Sequence, residues 1–117
     1  MSTVKADNFA DRNGDNSIPQ SYLFGGVAKS RIRYPNGAAS ISDSMNISSL
    51  TDSSTGNAIA NLTSAMGSAS YEAFATADEY HTAVTVSSAS AYNIRSYNSS
   101  HAAADAAASG MNLGDLA

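Results

Sequence analysis

Short alternating segments constrain the fold of this chain more than any other feature. They run from Ser30–Tyr34 to Asn93–Tyr97 and are separated by clusters of Asn, Gly, Ser and Asp. Each segment is too short for a stable helix and places apolar side chains at every second position, as a strand with one buried face requires. The sequence therefore predicts a small all-β domain.

The alternation also indicates which side chains share a face, and its spacing is typical of a sandwich or a barrel. Tyr71 and Tyr92 fall on the inward parity, so we expect them to fill gaps in the core. The other residues that share one face of their predicted strands are Ala58, Ala60, Leu62, Ala73, Ala75, Val84, Val86, Ile94 and Ser96.

Composition limits the core that one copy can build. The 117 residues form one domain. Alanine makes up much of the 43% hydrophobic content, and there is no tryptophan and only three phenylalanines. Burial of alanine contributes little free energy, and small domains bury a smaller fraction of their surface. Because there are no cysteines, neither a disulfide framework nor a thiol-ligated zinc site can compensate. We therefore expect the chain to oligomerise.

The charge pattern excludes some classes of partner. A net charge of −4 with six Lys and Arg argues against a protein that binds nucleic acid by neutralising phosphates. Lys29, Arg31 and Arg33 alternate and are predicted to form the solvated face of an edge strand. No apolar run is long enough to span a bilayer, and the first residues do not resemble a signal peptide. We expect synthesis in the cytoplasm and no membrane insertion.

The amino-terminal region differs in residue pattern from the rest of the chain, and this pattern predicts a hairpin-like arm. Thr3–Phe9 alternates weakly, Asp11–Ser17 is a dense turn cluster, and Ser21–Phe24 is a short apolar patch before a glycine hinge. An isolated two-stranded hairpin is marginal in water, so the arm should pack on neighbouring copies or on an assembly platform.

These differences divide the chain into an assembly arm, residues 1–27, and a β-domain, residues 28–117. The candidate assembly residues of the arm are Val4, Phe9, Tyr22, Leu23 and Phe24. One segment of the β-domain, Ala102–Ala108, stays open between two structures. It has the highest helix propensity in the chain, with Ser99 or Ser100 as cap, yet it also fits a loop entering a last strand at Ala106–Leu113.

Part of a calcium-binding pattern occurs in the arm, because Asp11, Asn13, Asp15 and Ser17 place oxygen atoms at alternate positions. A complete loop needs a glycine after the third ligand and a bidentate Glu near its end, and Tyr22 stands in place of that Glu. An ordinary turn explains these residues more simply, and we predict no metal site and no cofactor.

Catalytic signatures are lacking. His81 and His101 are the only histidines, and no nucleophile-elbow sequence accompanies the many serines. We therefore expect no enzymatic activity, and a polysaccharide hydrolase is kept only as a remote alternative. Tyr80 and Tyr97 are the candidates for a recognition surface, because tyrosine combines a flat apolar ring with a polar tip. His81, beside Tyr80, is predicted to lie at the surface and joins these receptor-binding candidates.

Several segments resemble the small β-domains of tail fibres and other virion proteins of tailed bacteriophages. In that family a strand ends in "NFNG", and "IRDSFNVSSITD", "NGTG" and "YTVNFTTAM" follow, after an opening similar to "STLKVDNI". The segments that carry the resemblance are Ser2–Asn8, Ala28–Gly37, Ile41–Asp52, Thr55–Met66, Ala102–Asp105 and Gly114–Ala117.

The resemblance implies an antiparallel β-sandwich preceded by the arm, assembled as a homotrimer on the virion. It implies a tail fibre, fibre tip or head fibre that contacts other virion proteins of the tail, collar or capsid and attaches to a host surface glycan or protein. Ala58 and Ala60 replace large core residues of the family, which favours tight association. The alternative is a capsid decoration protein that stabilises the shell.

Overall fold

Ten strands and one short helix form the described part of the chain in the computed structural model, which covers residues 2–3, 5–35 and 40–117. In chain order they are β1 (Asn8–Ala10), β2 (Ser17–Pro19), α1 (Gln20–Gly26), β3 (Ser30–Tyr34), β4 (Asp43–Met45), β5 (Ile47–Ser54), β6 (Asn57–Leu62), β7 (Glu72–Ala77), β8 (His81–Ser88), β9 (Ala91–Tyr97) and β10 (Ala108–Leu113). The predicted all-β class is confirmed.

The strands form two four-stranded sheets and a separate hairpin, and every pairing is antiparallel. Sheet 1 has the order β4-β3-β10-β7, sheet 2 has the order β5-β6-β9-β8, and β1 pairs with β2. The sheets pack as a small sandwich, and the short turn between β7 and β8 passes from one sheet to the other.

The core lies between the inner faces of the two sheets. Tyr92 and Ile94 from sheet 2 have no exposed surface, and Ile32 and Tyr34 from sheet 1 are almost as fully buried. The predicted inward parity of Ala58, Ala60, Leu62, Tyr71, Tyr92, Ile94 and Ser96 is confirmed, and Ala73, Ala75, Val84 and Val86 pack against the core while partly buried. Small inward residues let the two sheets approach closely.

The prediction that the basic residues mark an edge strand is wrong. Arg31 and Arg33 lie in β3, which is hydrogen-bonded on both sides by β4 and β10, and Lys29 precedes the strand. The edges of sheet 1 are β4 and β7, and the three residues of β4 are too few to show a periodic pattern. Arg31 and Arg33 nevertheless project on the outer side of sheet 1, since they alternate with the buried Ser30 and Ile32.

The sequence left a helix and a loop as alternatives for the alanine-rich segment Ala102–Ala108. The segment is a loop, and the last strand, β10, begins at Ala108. Ala104 is fixed to β9 twice, because its N–H donates to the Ser96 carbonyl at 3.1 Å and its carbonyl accepts from Ser96 Oγ at 2.5 Å. Asp105 accepts a hydrogen bond from the Gly56 N–H at 2.7 Å. These tertiary contacts outweigh the helix propensity of a short alanine run.

The hairpin of the arm is present as β1 and β2, with Phe9 opposite Ile18. Its turn is closed by Asp11, whose carboxylate accepts hydrogen bonds from the Asp15 N–H at 3.0 Å and Asn16 Nδ2 at 2.8 Å. The Asn16 amide lowers the pKa of Asp11. The expected glycine hinge is wrong, because α1 continues through Gly26. Val4 lies outside the described residues, and the boundary at residue 27 stays a prediction.

Candidate interaction surfaces

Three rings meet at one end of sheet 2 and form what we call the aromatic cluster: His81, Tyr97 and His101. His81 stands opposite Tyr97 in the pairing of β8 with β9. The His101 ring lies 5.9 Å from the His81 ring and 6.2 Å from the Tyr97 ring between centroids, edge-on to both. The cluster is partly open to solvent, since both histidines are exposed and Tyr97 is half-buried.

The loop after β9 carries His101 to this position. Asn98 organises the loop, because its Oδ1 accepts hydrogen bonds from the Ser100 N–H at 2.9 Å and the Ala102 N–H at 3.1 Å. The His101 N–H donates to the Asn98 carbonyl at 3.0 Å, and His101 adopts a positive φ of 62°. An Asn-led turn of this kind folds the chain back over the end of β9.

Two of the three receptor-binding candidates are therefore neighbours, and the third is not part of the cluster. Tyr80 lies in the turn before β8 and is 36% exposed. Among the residues described, the ring contacts join His81, Tyr97 and His101 and leave Tyr80 out. Sequence reasoning missed His101 as a member of the site. The signal available for it was the turn-forming Asn98–Ser100 that precedes it.

A shallow depression of about 260 Å³ adjoins the aromatic cluster on the outer side of sheet 2. Arg95 and Tyr97 of β9 form one wall, Ala103 lies at the end, and the turn between β5 and β6 forms the other wall. The residues of that turn that line the depression are Ser54, Thr55, Gly56 and Asn57. Asn57 stands opposite Arg95 in the pairing of β6 with β9.

The wall formed by the β5–β6 turn is held rigidly from behind. Gly56 has φ +69°, and its carbonyl accepts a hydrogen bond from the Ser96 N–H at 2.8 Å. A small separate cavity of about 10 Å³ lies behind the turn and is lined by Tyr34, Asp52 and Asp105 among others. Burial, with the nearby Tyr92 and Asp105, raises the pKa of Tyr34 to about 12.

The outer side of sheet 1 carries a second surface, which we call the apolar face: Met45, Phe74 and Met111. These side chains and Arg31 lie in one row across four strands, because Arg31 pairs with Met45 and Met111 pairs with both Arg31 and Phe74. Phe74 is 51% exposed, Met45 44% and Met111 41%. A groove of about 490 Å³ runs over Phe74 and Met111.

Two ion pairs neutralise the arginines of this side of sheet 1, one within the row of the apolar face and one beside it. Arg31 pairs with Asp43 at 2.5 Å, and Arg33 pairs with Asp78 at 2.9 Å and also donates to Ser109 Oγ at 3.2 Å. The guanidinium groups hold the pKa of Asp43 and of Asp78 below their ordinary values. The result is a grooved, mostly apolar surface whose charged side chains are neutralised by ion pairs.

The arm presents a third surface with large exposed apolar side chains. Phe9 and Ile18 are cross-strand neighbours in the hairpin, and Tyr22 projects from α1 with two thirds of its surface exposed. The molecule measures 52 × 28 × 25 Å along its principal axes. Of the remaining predicted arm residues, Leu23 and Phe24 lie within α1.

Within the described ranges, no three His, Cys, Asp or Glu side chains are grouped closely enough to hold a metal ion. The same residues include no helix with the length and hydropathy needed to cross a membrane.

Comparisons of the chain with protein-family models, with curated proteins and with solved structures found no match.

Proposed function

We propose that this chain is a structural protein of a tailed-bacteriophage particle, a homotrimeric tail fibre, fibre tip or head fibre that attaches the particle to its host. The observation that carries the proposal is the exposure of large apolar side chains on both the apolar face and the arm. Soluble monomers seldom expose contiguous apolar patches of this kind unless another molecule covers them. Two such surfaces on one small domain fit a protein built to assemble.

The apolar face is suited to contacts between copies of the chain. Phe74 on the edge strand β7 and Met111 on the neighbouring strand β10 stand directly opposite each other, so they form one continuous apolar patch. Around a threefold axis they would be buried together with the neutralised Arg31–Asp43 ion pair, while the Arg33–Asp78 ion pair stays at a polar rim. This burial would add apolar contact to a core that is poor in large side chains.

The arm is suited to a different partner, another protein of the virion. Its hairpin has three residues in each strand, and a hairpin of this size is marginal without support. Phe9, Ile18 and Tyr22 supply exposed apolar surface for that support. Docking of the arm on a tail, collar or capsid protein would leave the sandwich directed away from the particle.

Host attachment is assigned to the aromatic cluster. Partly exposed rings offer apolar area and polar tips to a glycan or protein on the cell surface. Weak contacts at one cluster are multiplied by three copies in a trimer and by several trimers on a particle. High affinity at a single site is therefore not needed.

A capsid decoration protein is the alternative, because the same apolar face and arm could brace neighbouring shell subunits. Copy number separates the two functions. Quantitative mass spectrometry of purified particles would compare this chain with the major shell protein. A few tens of copies or fewer, together with blocked adsorption by the free protein, would support a fibre. About one copy per shell subunit would support decoration, and absence from the particles would overturn both.

A further inference from the structure

We propose that the depression beside the aromatic cluster binds a carboxylated sugar, such as a uronic acid unit of an acidic polysaccharide. The inference rests on the proposed function, since it names the chemistry of the host glycan. Arg95, Tyr97 and the β5–β6 turn, residues 54–57, form the site. Each wall supplies a different part of the recognition.

Arg95 supplies the charge. It is exposed on the outer side of sheet 2, whereas Arg31 and Arg33 on sheet 1 are already paired with aspartates. Over the described residues, no ion pair involves Arg95. A guanidinium is a planar fork of donors that matches the two oxygens of a carboxylate. Arg95 is therefore available for a carboxylate that arrives from outside.

Tyr97 supplies apolar area beside that charge. The ring lines the depression two residues along β9 from Arg95, so both side chains project on the same side of the sheet. The edge-on contact with His101 restrains the ring. Tyrosine rings held in this way offer a flat surface for the C–H groups of a sugar.

Hydroxyl and amide groups complete the site on the opposite wall. Ser54, Thr55 and Asn57 line the depression, and side chains of these types both donate and accept hydrogen bonds. Asp52 and Asp105 line the adjoining cavity behind the turn instead, where the Asp105 carboxylate accepts a hydrogen bond from the Gly56 N–H. A sugar that carries one carboxylate and several hydroxyl groups matches this lining in charge and in hydrogen bonding.

The wider charge distribution favours a saccharide over a nucleic acid. Arg95 is one isolated cation on a chain of net charge −4, whereas binding of a phosphate backbone requires several basic residues along a track. Three weak sites per trimer would be enough to hold a polymer whose acidic units repeat.

The test is an NMR titration of the full-length chain with trigalacturonic acid, with maltotriose as the neutral probe and acetate as the carboxylate without a sugar ring. Trigalacturonic acid should shift the backbone amides of residues 54–57, 95 and 97, and the other two probes should bind at least about tenfold more weakly. Equal binding of maltotriose would overturn the role of the carboxylate. Equal binding of acetate would show that the site binds a carboxylate without recognising the sugar, which would overturn the inference. The absence of shifts with any probe would also overturn it.

Matched variants locate the site. Arg95→Gln should weaken trigalacturonic acid binding about tenfold, because the charge-assisted pair is lost. Arg12→Gln makes the same change in net charge at an exposed position of the arm and should leave binding within about twofold. Equal losses in both variants would overturn the site. Particle copy number and adsorption are measured separately. A fibre that does not bind acidic sugars can therefore be distinguished from a chain that is not a fibre.

Discussion

The hydroxyl of Ser30 donates a hydrogen bond to Oδ1 of Asn112 at 2.5 Å, and both residues are completely buried. The Tyr92 hydroxyl lies 3.3 Å from Ser30 Oγ. Because the single hydroxyl proton of Ser30 is used by Asn112, Tyr92 is the donor in this second bond. The three polar groups join the first strand of the sandwich to its last and link the two sheets through the core.

Ser30→Ala should destabilise the fold by about 1–3 kcal/mol, because it leaves Oδ1 of Asn112 buried without a donor. Nδ2 of Asn112 already has no hydrogen-bond partner among the described residues. Urea unfolding followed by circular dichroism measures the change. Ser70→Ala removes a hydroxyl from an exposed position and should stay within about 0.5 kcal/mol of the parent. Equal stability of the two variants would contradict the structural role of the buried network.

Gly56→Ala should be among the most destabilising single substitutions in the chain. An added Cβ would lie 2.6 Å from the Ser96 carbonyl oxygen and 2.7 Å from the Ala104 nitrogen, both backbone atoms, at a φ of +69°. Overpacking and the left-handed conformation together should cost roughly 2–5 kcal/mol in urea unfolding.

The matched control for this turn is Gly67→Ala. There the nearest atom, the Asp115 carbonyl oxygen, is 3.5 Å from the added Cβ, which is ordinary contact. We expect a change within about 1 kcal/mol. If Gly56→Ala were as stable as this control, the close approach of the β5–β6 turn to Ala104 would be wrong.

Period-two alternation was sufficient to predict β6, β9 and the core tyrosines, but not the second half of β5, where the residues of the Thr51–Asn57 segment read as a loop. β6 and β9 alternate cleanly because one of their faces is buried and the other is solvated, so local pattern and tertiary environment agree. The same alternation, applied to β7, also indicates the apolar face. Phe74 stands between Ala73 and Ala75, which are predicted inward, and must therefore point outward.

Elements fixed by long-range contacts could not be predicted in this way. β4 and α1 are too short for periodicity, and Ala102–Ala108 is a loop leading into β10, held by hydrogen bonds to β9 and to the β5–β6 turn. The meeting of His101 with Tyr97 depends on how far a loop folds back, which composition does not encode. By contrast, the ordinary turn predicted for Asp11–Ser17 is present, and the Asp11 carboxylate closes it by local hydrogen bonds.

Alkaline pH above about 10 should destabilise the fold. Burial raises the pKa of Tyr71 to about 12, and the proximity of Tyr92 adds to the shift. The folded state therefore holds the tyrosine proton above pH 10, where the unfolded chain releases it. The stabilisation is complete below pH 10 and is lost as the pH rises towards 12. Urea midpoints measured from pH 8 to 12 should fall across that interval.

Tyr71→Phe tests the origin of this pH dependence. The Tyr71 hydroxyl donates to the carbonyls of Ser88 and Ala91, each at 2.9 Å, so the variant should lose about 1 kcal/mol at neutral pH. The gap between parent and variant should shrink between pH 10 and 12, because ionisation removes the same donor from the parent. A gap that stays constant over this range would show that Tyr71 does not control the alkaline loss.

The apolar face should set the oligomeric state. Light scattering after size-exclusion chromatography should give the mass of three chains for the parent, and Phe74→Ser with Met111→Ser should reduce it to one, because both exposed side chains lose their apolar contact. Far-ultraviolet circular dichroism shows whether the double variant stays folded. Ile41→Ser changes an exposed apolar residue outside the face and should leave the mass unchanged. A monomeric parent, or a double variant that keeps the mass of three chains, would mean that the face does not join copies of the chain.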